Sequence, residues 1–96
     1  MPLPEQQTTI DKAIALRDLQ QIPGVGKAVS GDLWDLGIAS VQALKDRDPE
    51  KMYHDLCLMQ QTQVDRCMLY VFRCAVYYAS NTEHDPELLK WWNWKD

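Results

Sequence analysis

The chain has 96 residues, 46% of them hydrophobic, which suits one domain with a core of modest size. Ten Lys plus Arg against fourteen Asp plus Glu leave a net charge of −4. That balance argues against strong autonomous nucleic-acid binding, which calls for a basic surface.

In chain order, residues 1–7 read as a flexible lead-in to a single domain over 8–96 that ends in a Trp-rich tail. Thr8 with Asp11 three residues on is a capping-box variant, opening a helix from about Ile10 to Gln20 with Ile10, Ala13 and Ile14 facing inward. A glycine-containing turn follows. A second helix is expected over Lys27 to Leu36, with Val29, Leu33 and Leu36 as its apolar stripe. Gly31 inside it predicts close approach of the two helices, since glycine in a helix interior is costly. Gly37 then closes the helix, with Ile38 supplying the accompanying apolar contact. Ser40 starts a short helix to about Lys45. Asp48-Pro49-Glu50 restarts the chain with an acid at the cap and proline at the first helical position. Met52, Leu56 and Met59 form that helix's buried stripe. Thr62 with Asp65 opens a long helix to about Ser80, and Asp85-Pro86-Glu87 repeats the start signal before the tail. No strand-like alternation stands out, so the expected fold is all-α, a compact bundle of five to six helices.

The turn, Leu-Gln-Gln-Ile-Pro-Gly-Val-Gly-Lys over Leu19 to Lys27, is the most informative stretch. Gly24 and Gly26 permit the positive φ a reversing backbone needs. The amides of Gly24, Val25, Gly26 and Lys27 can then point at an anion where the helix dipole also favours one, with Lys27 as an ionic supplement. These residues resemble the helix-hairpin-helix motif, and the resemblance implies grip on a nucleic-acid backbone without reading of sequence. Two features run against tight binding. Ala28 and Val29 stand where DNA-binding members carry basic or hydroxyl groups, and the two flanking helices hold three positive and four negative charges. A second hairpin would fall near Leu58 to Thr62, which contains no glycine. One hairpin on about two phosphates predicts a shallow salt slope, near −2.

Trp91, Trp92 and Trp94 offer a stacking or partner surface, or fold back to cap the bundle. Adjacent Trp91 and Trp92 point about 100° apart on a helix, so docking is expected over a flat platform. Arg73, alone in an apolar helix, calls for a partner and makes an ion pair or an anion contact, with Asp65 and Arg66 nearby. His54, Cys57, Cys67 and Cys74 are ligand types, but their spacing matches no zinc module, and no metal is expected. His84 reads as a surface residue at a helix entry. Cys67 and Cys74 lie seven residues apart, about 10 Å along a helix, beyond disulfide reach. Reduced thiols and a start lacking signal-peptide character point to the cytoplasm. The apolar run Cys67 to Ala79 is too short to span a bilayer, so no membrane partner is expected. No nucleophile stands with a base, and neither catalysis nor a cofactor is expected.

Taken together, the hairpin, Asp65-Arg66-Cys67, Tyr70-Val71-Phe72-Arg73-Cys74-Ala75-Val76-Tyr77 and the tail Asp85 to Trp94 carry a closer resemblance. From about Ala13 onward the chain resembles the small bacterial helix-hairpin-helix family labelled "pathogenicity locus" or "mitomycin resistance" protein. The resemblance implies a SAM-like, helix-hairpin-helix architecture with one such motif, and a non-enzymatic DNA-binding role. It carries over no catalytic residue. The alternative is a protein-interaction or self-association domain that uses the hairpin as scaffold. A third reading is small-molecule binding linked to drug resistance. The oligomeric state is open.

Overall fold

The computed structural model describes the backbone from residue 4 onward and side chains from residue 11 onward. Four α-helices form the fold: α1 (Pro4–Leu19), α2 (Lys27–Asp35), α3 (Pro49–Gln60) and α4 (Cys67–Ser80). Three short 3-10 turns complete it: η1 (Gln42–Leu44), η2 (Pro86–Leu89) and η3 (Trp91–Trp94). The described residues include no strand. The all-α expectation therefore holds, but with four α-helices rather than five to six.

The missing helices are those 3-10 turns, and the reasons are local. Before η1, the Val41 amide donates to Asp18 Oδ2 at 2.8 Å, and after it Asp46 enters left-handed space at φ 61°. In the tail, Lys90 is extended at φ −92°, ψ 111°, which splits the segment into two tight turns. Neighbouring tryptophans there dock on different surfaces, and tertiary packing overrides helix continuity.

α4 is the central element. Leu69, Phe72, Cys74 and Ala75 are fully buried along it, and it packs against α3, η1, η2 and η3. Leu19, Ile22, Leu33, Ile38, Leu44 and Leu56 fill the rest of the core. Each such side chain contributes about 1.5–3 kcal/mol of burial.

Pro4 opens α1, earlier than expected, at the position where its missing N–H costs nothing. The expected Thr8 cap and inward Ile10 lie outside the described side chains, and the lead-in over 1–7 falls partly outside the described backbone. Ala13 and Ile14 do not face inward: Ile14 is 63% exposed, and Ala15 and Leu19 carry the buried stripe. Among the described residues α1 packs chiefly against α2 and touches the segment before η1 through Asp18, so the apolar face is needed only toward its C-terminal end.

In α2 the buried small residue is Ser30. Its hydroxyl donates to the Lys27 carbonyl (2.9 Å) and accepts from Gln20 Nε2 (3.1 Å), tying the end of α1 to the start of α2. A Cβ at Gly31 would meet nothing within 4 Å, so the expected close approach is not there. The C-terminal signal performs as expected. Gly37 sits at φ +84°, its amide donates to Trp34 O, and the buried Ile38 donates to Leu33 O.

α3 is capped by Asp48, whose Oδ1 accepts from Glu50 N at 3.0 Å. Its buried stripe is Met52, Tyr53 and Leu56, while Met59 is 53% exposed, contrary to expectation. Gln61 closes α3 in the left-handed region at φ 53°, a role more often given to glycine. α4 begins at Cys67, capped by Asp65 Oδ1 on Cys67 N at 2.9 Å, with no part for Thr62. Among the described residues no helix is long and apolar enough to cross a membrane.

Candidate functional site at the first helix–helix turn

Leu19 at the end of α1 and Ile22 within the α1–α2 turn are buried and hold the turn against the core. The Val25 side chain is 5% exposed, and its amide donates back to Ile22 O at 3.0 Å. Val25 is therefore spent on making the turn. Gly24 supplies the positive φ (+88°), whereas Gly26 is extended at φ −99°, ψ −163°. Only one of the two glycines is required by backbone conformation.

Gly26 is the N-cap of α2 and its carbonyl accepts the first helical bond, from Ser30 N at 2.9 Å. It has no side chain with which to cap, and the first turn of α2 contains no acid. An α-helix leaves its first N–H groups without intrahelical partners. The amides of Gly26, Lys27 and Ala28, all exposed residues, thus share one positive helix end. Lys27 is exposed and joins no ion pair among the described residues. Ala28 was not singled out from sequence because its side chain carries no chemistry; only its backbone does.

The tail reaches this turn. A Cβ on Gly24 would lie 3.2 Å from Trp91 Cδ1, so the Trp91 indole rests on the glycine backbone. Trp94 docks elsewhere. Its Nε1 donates to Leu88 O at 2.8 Å and its ring tilts over Tyr77 at 5.5 Å. Trp92 stands edge-on to Trp91 at 5.7 Å and 85°, and is 49% exposed. The three rings form no common platform, and Trp92 alone is presented outward.

Arg73 is held at the other end of η3. Its Nε and Nη2 donate to Glu50 Oε1 (3.2 and 2.6 Å), and Nη1 donates to Trp94 O (2.8 Å). Asp96 joins Arg73 to Arg66, with Oδ1 2.9 Å from Arg73 Nη2 and Oδ2 2.6 Å from Arg66 Nε. Hydrogen bonds from Arg73 and Arg66 hold the Asp96 carboxyl below the usual carboxylate range. The Glu50 hydrogen bond pushes the Arg73 guanidinium up, and Asp96 does the same for Arg66. Asp65 stands apart from this group as the α4 cap, its carboxyl lowered by the Cys67 amide. The sequence marked Arg66 and Arg73 but not their partners. Glu50 and Asp96 lie 23 residues from Arg73 in either direction, beyond any local pattern.

Cys57 is half-buried, Cys67 exposed and Cys74 buried, its Sγ donating to Leu88 O at 3.5 Å. Burial pushes the Cys74 thiol up. Among the described residues no three His, Cys, Asp or Glu side chains converge to hold a metal. His84 is half-buried rather than on the surface, stacked on Tyr78 at 4.7 Å. An open depression of about 530 Å³ lies between α1, η1 and α4, lined in part by Asp18, Ser40, Lys45 and Tyr78. Arg73 does not line it. Asp18 is already engaged by Val41 N and by Gln21 Nε2.

Over residues 12–96 the chain matches the family described as "Pathogenicity locus", and it belongs to that family. It is similar to the mitomycin resistance protein McrB of Streptomyces lavendulae, with 29% identity over 77 residues, spanning 80% of this chain and 70% of that protein. No solved structure gives a significant match.

Proposed function

We propose that this chain is a non-enzymatic module that holds a nucleic-acid backbone, DNA foremost, at its α1–α2 turn, a helix-hairpin-helix element. The reading rests on the start of α2, where Gly26, Lys27 and Ala28 are exposed, no side chain caps the helix and its first turn holds no acid. A phosphate seated there accepts main-chain hydrogen bonds along the helix dipole, and Lys27, in no ion pair among the described residues, adds a cation. Main-chain donors read no base, so binding is independent of sequence. With about two phosphates engaged, affinity is low and the salt slope is near −2. Three free cysteines suit work in a reducing cytoplasm.

Amide NMR titration with a short duplex at low salt tests this. The expected result is shifts at Gly24, Gly26, Lys27 and Ala28 that fade as salt rises. Lys27→Glu should reduce affinity while leaving the amide spectrum folded. Unmoved turn amides at millimolar DNA overturn the proposal.

A second reading, self-association or protein contact, has its own support in Leu58 (63% exposed) and Met59 (53% exposed), adjacent at the end of α3. It predicts a mass that rises with concentration in sedimentation equilibrium, without any response to DNA. Small-molecule capture, a reading that the word resistance in the relative's name invites, has less support. The depression beside α1 offers a carboxylate that is already hydrogen-bonded.

A further inference from the structure

Two guanidinium groups close on a single carboxylate where the tail meets α4. Asp96 receives Arg73 on one oxygen at 2.9 Å and Arg66 on the other at 2.6 Å, with the Tyr70 hydroxyl 3.5 Å from the second. The Arg73 side chain is 20% exposed and fixed from behind by Glu50 and by the Trp94 carbonyl. Its guanidinium also lies 5.7 Å from the centre of the Tyr70 ring. Arg66 and Asp96 open to water, at 52% and 46% exposure. The donors are therefore positioned by the fold, while their occupant sits at the rim. Paired arginine forks suit phosphate as well as carboxylate.

The geometry points to a second phosphate site, built from Arg66, Arg73 and the Tyr70 hydroxyl and closed by the chain's own Asp96. A nucleic-acid phosphate competes with Asp96 for the two arginines. This rests on the proposal that the chain holds a nucleic-acid backbone. Trp91 at the start of η3 rests on Gly24, and the Trp94 carbonyl at its end binds Arg73. Three residues of 3-10 helix advance about 6 Å. One turn of tail thus links the α1–α2 turn to the arginine pair, and a strand crossing the first can reach the second. Exposed ion pairs add little net stability, so Asp96 is a displaceable occupant. A polyanion gains from counterion release, which a tethered carboxylate cannot supply.

Asp96→Asn opens the site without removing its arginines. The control is Glu83→Gln, which makes the same charge change at an exposed residue that joins no ion pair among the described residues. Binding of a short single-stranded DNA is measured by fluorescence anisotropy across a salt series, with the amide spectrum confirming the fold of each variant. Asp96→Asn should bind at least about fivefold tighter than Glu83→Gln. Its salt slope should steepen by about 1–2. Arg66→Ala added to Asp96→Asn should erase the gain. Equal affinity of Asp96→Asn and Glu83→Gln, or a gain that survives Arg66→Ala, overturns the second site. If turn amides of the unaltered chain still shift with DNA in that case, the first site stands alone. If no variant binds and the turn amides stay still, both proposals fall.

Discussion

At Gly24 two demands meet on one atom. The backbone holds φ +88°, and the space a side chain would take is filled by Trp91 at 3.2 Å. Gly24→Ala should therefore cost about 1–2 kcal/mol from the left-handed backbone alone. Trp91 must also give by a few tenths of an ångström, so the variant should show a lower denaturant midpoint together with altered tryptophan emission. An unchanged midpoint contradicts this account of the turn. Gly26, two residues on, faces neither constraint: its φ is −99° and a Cβ there meets nothing within 4 Å. Gly26→Asp should cap α2, raise stability by a few tenths of a kcal/mol, and remove DNA binding by placing a carboxylate in the phosphate position. Thermal unfolding and the DNA titration separate those effects, and a variant that still binds DNA argues against the helix-start site.

At the scale of the element, the start and stop signals were legible wherever they act over three or four residues. Asp48 before Pro49, Asp85 before Pro86, and Gly37 before Ile38 each do in the structure what their local chemistry requires. The burial of α4 was equally readable, because an apolar run with one charge has nowhere else to go. What stayed hidden was set by distant partners. Met59 follows the helical period yet is exposed, because Tyr53 takes the inward place beside Met52 and Leu56. Gln61 adopts a glycine-like conformation because the chain must turn there to let α4 pack on α3. The tail divides into two 3-10 turns because Trp91 seeks Gly24 and Trp94 seeks Leu88 and Tyr77. At the candidate site, the turn was legible from Pro23 and its glycines, but the tie of Asp96 to Arg66 and Arg73 was not, because it joins residues 23 or more apart. The same tie has a pH signature. Asp96 is depressed in the fold by Arg73 and then Arg66, so its contribution is fully present above the ordinary carboxylate pKa of about 3.9. It is lost as pH falls through the lower folded value. Tryptophan emission should report tail release in that acid range before the far-ultraviolet helix signal collapses; simultaneous loss of both signals contradicts it.

For the molecule as a whole, four helices share one core with Phe72 at its centre, fully buried. Phe72→Ala should cost about 3–5 kcal/mol, a large part of the roughly 5–15 kcal/mol typical of such domains. Its unfolding should remain a single transition, because no element has a separate core to fall back on. Two transitions in a denaturant melt would show otherwise. Asp32 acts with the opposite sign to Asp96. Burial, then Asp35, raises its carboxyl, so what it contributes is present below the ordinary carboxylate pKa and lost as pH rises through the folded value. Asp32→Asn should raise the melting temperature at neutral pH, and a fall would count against that sign. The thiol of Cys74, sealed beneath Leu88 while Cys67 stands in water, gives the chain an internal clock. With Cys57 replaced by serine and Cys67 blocked by a quick alkylation, the slow modification of Cys74 times each excursion of the tail segment away from α4. A ligand that pries that segment loose will be detected as faster labelling, with no need to watch the ligand itself.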